Sequence, residues 1–301
     1  MVDKSHIPRI VERSQRVFDM QWKDGAKATL TLCFDDGFKR AYELTRDLLS
    51  KYGIHATYFV PTAYVGKKFH SFSVVSWRDL RQCIDARMEV GSHSMTHCEY
   101  TTSVANKICR VLSNLRAEES KLGYVKYIVS QLGKMTMGGV DLKCPDHQVE
   151  SEITLSKQII ESELSPYRVS SFAYPKGSFN DKSKRLVMKA GYSSARTTLV
   201  GLNNPGTIDL YALKCNVWRH YTTLSAMNKW VDRALDSGSW LIELFHLVTD
   251  APDCTPEACA LDQIRAHLDY ATDNSMWIDT QHNVASYVRQ VTGQGDPLTR
   301  K

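Results

Sequence analysis

Apolar positions along this chain repeat with two periods that take turns, a two-residue period in short runs and a 3.6-residue period in longer ones. The run Ala28 to Phe34 is β-rich and stops abruptly at Asp35, Asp36 and Gly37. Ala41, Leu44, Leu48 and Leu49 then recur at helical spacing until Tyr52-Gly53. Ala56 to Val60 reads as a second strand ended by Pro61. Ser76 and Asp79 form a capping box for a helix through Leu80 and Ile84, and a short strand, Met88 to Val90, ends at Gly91. Helical periodicity returns at Ile153, Ile159 and Ile160. From there the pattern predicts strand Ser171 to Tyr174, helix Lys182 to Ala190, strand Tyr192 to Arg196, strand Tyr211 to Trp218, helix Leu224 to Leu235 and strand Trp240 to Phe245. Helix Pro256 to Ala271, strand Met276 to Ile278 and a last helix from His282 complete the order.

Two stretches depart from that alternation. Residues 1–27 are charged with little periodicity and read as an arm packed on the domain ahead of the first strand. Between about 101 and 150, Val104, Ile108, Val111, Leu112 and Leu115 mark an amphipathic helix, a second apolar stretch follows near Tyr124 to Leu132, and Gly138-Gly139 opens a loop to Pro145. This reads as a helical insertion into a β/α repeat. Repeated alternation of strand and helix without a linker predicts an α/β protein, a parallel barrel-like sheet in a single domain over 1–301 with its core at about 28–290.

Composition changes this picture little. With 43% hydrophobic and 24% charged residues the chain is ordinary for a globular protein. Its formal charge of +5 is spread out and contains no Lys/Arg run, which argues against a nucleic-acid partner. No apolar run is long enough to span a bilayer, and the polar start Met-Val-Asp-Lys-Ser-His lacks the apolar centre of a secretory signal, so the chain as given is expected in the cytoplasm. The eight cysteines include no Cys-x-x-Cys pair and suit free thiols better than a disulfide framework.

The candidate chemistry sits where predicted strands end. Adjacent Asp35 and Asp36 point the same way only if the strand is finishing, and Gly37 permits the backbone such an ending needs, although Asp-Gly is also an ordinary turn signal. In Gly91-Ser-His-Ser-Met-Thr-His97 two histidines stand at i and i+4, on one face if the segment is helical, where both imidazoles can ligate one metal. Phe172-Ala-Tyr-Pro-Lys-Gly177 is a strand end with a tight loop whose N–H groups could face a substrate, or simply a turn. Trp240-Leu-Ile-Glu-Leu-Phe-His246 delivers one histidine at the end of an apolar strand, as a catalyst or as a satisfied core residue.

Taken in order, Phe34-Asp-Asp-Gly37, His93-Ser-Met-Thr-His97, Ala173-Tyr-Pro-Lys-Gly177 and Leu244-Phe-His246 resemble the polysaccharide deacetylase family, also called NodB-homology or carbohydrate esterase family 4, in its Tyr-Pro-x-Gly branch. The ending Trp277-Ile-Asp-Thr280 with Val284 to Val288 resembles that family's closing strand and helix. The resemblance implies a distorted (β/α) barrel and a divalent metal, commonly zinc, held by Asp36, His93 and His97. Asp35 would be the general base, His246 the acid, and the Lys176 N–H an oxyanion donor in the loop of Tyr174 and Pro175. The substrate would be an N-acetylated sugar or glycan, with another amide or an O-acetyl ester as the alternative and non-catalytic sugar binding a further one. Trp218 would stack on a sugar or belong to the core. Many members carry an arginine where Ala173 stands, bracing the base, and a later aspartate that holds it; neither is found here, and Arg196 and Arg219 are the substitutes to examine. The remaining histidines show no motif.

Overall fold

A computed structural model describes residues 21–100, 144–251, 255 and 257–293. The predicted arm up to residue 20 and residues 101–143 of the predicted insertion lie outside the described residues. The elements are β1 (Thr29–Phe34), α1 (Lys39–Tyr52), β2 (Thr57–Val60), β3 (Lys68–Phe69), β4 (Phe72–Ser73), α2 (Trp77–Asp85) and β5 (Glu89–Ser92). After the undescribed stretch come α3 (Val149–Glu163), β6 (Ser171–Ala173), α4 (Asp181–Lys189), β7 (Ser194–Arg196), β8 (Asn216–Val217) and α5 (Leu224–Ser237). The chain finishes with β9 (Trp240–Phe245), β10 (Leu247–Thr249), β11 (Ala258–Ala260), α6 (Leu261–Asp273), β12 (Trp277–Ile278) and α7 (Gln281–Thr292).

Seven parallel strands run in the order β7-β6-β5-β2-β1-β9-β8, and β12 pairs with the start of β1. Both β1 and β9 are buried along their whole length, which is why each reads as a near-continuous apolar run. They pair in register from Thr29↔Trp240 to Phe34↔Phe245. Alternation of side chains splits the core in two. Cys33, Phe59, Ala173, Ile242 and Leu244 point into the barrel and meet Val284, Ala285 and Val288 of α7, while Leu30, Leu32, Phe34 and Tyr58 face the surrounding helices. The opening between β7 and β8 is spanned by the segment before β8, through a bridge Arg196↔Leu213 and Thr197 N–H donating to Leu213 O at 2.9 Å. The result is an α/β fold with a parallel sheet curved into a half-barrel.

Three expectations need correction. The helix predicted from Pro256 begins only at Leu261, because Ala258–Ala260 forms β11 beside Leu247–Thr249. The predicted strand Tyr211 to Trp218 keeps only the Arg196↔Leu213 bridge and the two residues of β8, because Leu210 and Leu213 bond to β7 while Trp218 N–H donates across to Leu244 O. Gly91 does not end its strand but lies inside β5. A Cβ there would come within 2.4 Å of the Phe59 ring, so glycine serves close packing in the barrel interior. The Ser76/Asp79 capping box is present. Six cysteines are free thiols among the described residues, and no described helix is long and apolar enough to cross a membrane.

Candidate active site

Parallel strands deliver their following loops to one end of a sheet, and the predicted residues lie in those loops. After Phe34 the chain turns through Asp36 (φ 66°) and Gly37 (φ 62°), two consecutive left-handed residues that let both acids leave the strand toward the barrel mouth. A Cβ on Gly37 would stand 2.9 Å from Val60 Cγ1, so space and dihedral both require glycine. Asp35 and Asp36 are 3% and 7% exposed, deep enough that each carboxylate needs a partner.

Asp35 has one. Arg196, with no exposed surface, places Nη2 2.6 Å from both Oδ1 and Oδ2. Its Nη1 donates to Thr197 O at 3.1 Å and lies 3.7 Å from Cys215 Sγ, which fixes the plane of the guanidinium. Burial is the largest influence and works against the guanidinium charge, but Asp35 together with Cys215 and Cys33 outweighs it, so the pKa of Arg196 rises above its ordinary value. Arg196 is the direct register partner of Ala173 on the adjacent strand. The cation missing from position 173 is thus supplied one strand over at the same height, and Arg196 rather than Arg219 is the residue bonded to Asp35.

Asp36, His93 and His97 offer ligand atoms that all lie within 4.8 Å of one another. His97 Nε2 is 3.3 Å and His93 Nε2 3.7 Å from Asp36 Oδ1. His93 Nδ1 is 2.8 Å from Ala173 O, an acceptor only, so that nitrogen carries the hydrogen and Nε2 turns a lone pair toward the acids. Burial holds His93 down at about 3, keeping the ring neutral as a ligand must be. Burial, then the charge of Asp35, pushes Asp36 well above the usual carboxylate range. Its Oδ1 is buried and accepts no hydrogen bond from the described residues. Two imidazoles around such a carboxylate oxygen, with a second acid beside it, are the surroundings a divalent cation would satisfy.

The two histidines do not meet as one face of a helix. The segment from His93 to His97 is a turn in which Ser94 (φ 64°) and His97 (φ 60°) are left-handed, and it brings the ring centroids within 4.7 Å. His97 N–H donates to Ser94 Oγ at 3.0 Å, closing the turn. His246 follows β9 directly, one position past the Phe34↔Phe245 pair, and so stands beside Asp35. Burial, partly opposed by Asp35 and reinforced by Arg219, holds His246 down at about 4, and its Nδ1 is buried without a hydrogen-bond partner.

The remaining predicted residues separate. Lys176 occupies the turn Pro175–Gly177 in a left-handed conformation (φ 55°), packed so closely that a Cβ on Gly177 would lie 2.1 Å from Thr198 Oγ1. Tyr174 and Trp218 are core side chains. Tyr174 is fully buried between Phe172 and Phe179, with its hydroxyl donating to Tyr211 O at 3.1 Å. Trp218 is equally buried, packed on Phe245 and His267, so neither face is open to a sugar. Two buried carboxylates carried no motif. Glu243 pairs with His267 Nε2 at 3.0 Å on the outer side of β9, and Glu152 of α3 reaches the His93–His97 turn. A lone acid inside the apolar run Trp240 to Phe245 was the only sequence signal for the first.

The family model described as polysaccharide deacetylase matches residues 23–195. No curated protein matches the chain in sequence. Among solved structures, a protein from Mycobacterium smegmatis described as a polysaccharide deacetylase is 12% identical over 94% of this chain and 97% of its own, with a TM-score of 0.58. A mutant, with restored enzymatic activity, of a CE4 family pseudoenzyme from Bacillus anthracis is 14% identical over 86% of this chain and 68% of its own, with a TM-score of 0.52. A deacetylase solved with its substrate is 16% identical over 86% and 92%, with a TM-score of 0.50. At those identities the likeness speaks for the fold.

Proposed function

The chain belongs to the polysaccharide deacetylase family, and from that membership we propose that it is a metal-dependent hydrolase removing the N-acetyl group of an amino sugar, alone or within a glycan. The observation that carries the reading is the gathering of Asp36, His93 and His97 beside an Asp35 held by Arg196, with His246 on the neighbouring strand end. Asp36, His93 and His97 would hold a divalent metal, zinc by the chemistry of two imidazoles and one carboxylate, which when bound would acidify water and polarise the acetyl carbonyl.

Asp35 is the base: it takes the proton of the water that adds to the acetyl carbon. Arg196 keeps its carboxylate aimed at the mouth. The backbone N–H of Lys176 is the donor assigned to the oxygen that gains charge as the carbonyl carbon becomes tetrahedral. His246 is the acid that protonates the departing nitrogen, because an amine cannot leave as an anion near neutral pH. Two acids are needed since one is tied up in holding the cation while the other stays basic. The Tyr174-Pro-Lys-Gly177 loop favours the branch of the family in which the bracing arginine does not precede that loop.

One observation favours a second leaving group. His246 is held at about 4 with nothing bonded to Nδ1, so little of it carries a proton at neutral pH. An O-acetyl ester, whose alcohol departs more readily than an amine, asks less of that acid. The deciding experiment measures metal content after purification without added metal, then acetate and free-amine release from chito-oligosaccharides, nucleotide-linked N-acetylhexosamines and acetylated xylan. Amine release abolished by Asp35→Asn with metal still bound, and metal lost in His97→Ala, is the expected result. Acetate from xylan alone selects the ester. Metal-loaded protein that releases neither product removes the hydrolase reading, and equal turnover in Asp35→Asn and the parent removes the assignment of Asp35 as base.

A further inference from the structure

The turn that brings His93 and His97 together is not held by its own sequence. It contains two left-handed residues without a glycine, and Ser94 Oγ accepts from His97 N–H within it. We propose that Glu152, supported by Ser156, is a positioning residue for the cation site, fixing the backbone between the two histidines so that both imidazoles converge. The proposal rests on the metal site of the reading above.

Glu152 is 4% exposed, on the first turn of α3, where the helix end favours negative charge. Both of its oxygens are spent on the turn. Oε2 accepts from Met95 N–H at 3.0 Å and Thr96 N–H at 2.8 Å, and Oε1 accepts from Thr96 Oγ1 at 2.8 Å. One helical turn later, Ser156 Oγ donates to Ser94 O at 3.0 Å and lies 2.6 Å from Ser92 Oγ. From the opposite side Thr62 N–H donates to Ser94 O at 3.2 Å and Ala63 N–H to Met95 O at 2.9 Å. The N–H groups of Met95 and Thr96 are therefore gripped by α3, the carbonyl of Met95 by the segment after β2 and that of Ser94 by both, leaving the two imidazoles little room to separate.

If Glu152 served packing alone, an apolar residue would fill the same place without burying a charge. Its three side-chain bonds all go to Met95 and Thr96, two of the three residues that connect the ligands, and none to its own helix. What they secure is the spacing of ligand atoms, and supporting contacts of this kind typically change metal affinity by about 10–100-fold.

The test is zinc affinity, measured by competition with a chromophoric chelator on the full chain, beside circular dichroism and thermal melting without metal. Glu152→Gln keeps the shape but turns an amide toward two N–H donors, and the expected result is zinc binding weakened about 10–100-fold. Ser156→Ala, which removes the hydroxyl bonded to Ser94 O and Ser92 Oγ, and Thr96→Val, which removes the hydroxyl bonded to Glu152, are expected to weaken it by a few fold and keep the proposal open to refutation if Glu152→Gln does not fold. A melting temperature that falls while zinc affinity stays within twofold of the parent overturns the proposal, since that is how a purely structural carboxylate behaves. A parent chain that fails to bind zinc sinks the reading of the site itself, and the clamp with it; a parent that binds while all three variants match it sinks the clamp alone.

Discussion

Arg196→Met is the substitution that most directly probes how Asp35 is held. Methionine fills much of the same volume, so the change removes charge and hydrogen bonds with little loss of packing. Arg196 has no exposed surface and Asp35 is 3% exposed, so neither ion can turn to water when the other is lost. Removing one partner of such a pair costs about 3–5 kcal/mol, because the survivor is left buried without compensation. At about 2 °C per kcal/mol for a chain of this size, the melting temperature drops by about 6–10 °C. Asp35→Asn strands the arginine instead and is expected to cost a similar amount. The double variant leaves neither charge, so its loss falls short of the sum of the two singles by about 2–3 kcal/mol. Arg196→Lys retains the charge but gives up the bond to Thr197 O that orients the group, and lands between Arg196→Met and the parent. Equilibrium urea unfolding of the four proteins, compared at equal slope, gives the cycle. If the two single losses add to within about 0.5 kcal/mol, the pair is not coupled and Arg196 does not brace Asp35.

Two further outcomes follow from the same geometry. Asp36 has its pKa raised by burial and by Asp35. A raised folded pKa contributes stability that is complete below the unfolded value and is lost as pH climbs through the folded one, so the metal-free chain weakens toward neutral pH. Relieving a buried unpaired acceptor is worth about 1–3 kcal/mol; Asp36→Asn therefore melts about 2–6 °C above the metal-free parent at pH 7, matches it below the unfolded carboxylate range, and gains nothing from added zinc, which scanning calorimetry across pH checks. Moving the cation back one strand, as Ala173→Arg with Arg196→Ala, is expected to recover a measurable part of the stability and turnover lost in Arg196→Ala alone, read by melting temperature and acetate release; no recovery in a folded double variant argues that strand register does not set the exchange.

Much of the barrel was legible because β1 and β9 are buried on both faces and their largely apolar runs have no other use. The strand ends were legible too, since Asp35, Asp36 and His246 interrupt those runs abruptly. What failed was periodicity applied to a turn: the i,i+4 spacing of His93 and His97 suits a helix, yet Ser94 and His97 take left-handed dihedrals that no sequence rule assigns to serine or histidine. Trp218 was ambiguous for a different reason, as aromatic residues serve cores and sugar faces alike, and only its packing on Phe245 and His267 decides. Glu152 could not be found from spacing at all, because its partners lie more than fifty residues back, across the stretch predicted as an insertion.

The exchange between positions 173 and 196 shows why a missing motif residue is weak grounds for reading a lost function. Neighbouring parallel strands lie about 4.8 Å apart, and an arginine side chain is longer than that. Either residue of the Ala173↔Arg196 pair can therefore bring a guanidinium to Asp35. Stability alone does not account for the arrangement. Replacing a buried ion pair by apolar residues of similar volume is often neutral or stabilising by about 1–4 kcal/mol, and the interior around Phe59 and Cys33 would admit such residues. A barrel kept only for its shape would have no physical reason to hold an ion pair, an unsatisfied carboxylate oxygen and two converging imidazoles at one mouth. Each is a cost to the fold alone, and together they are the physical grounds for the hydrolase proposed above.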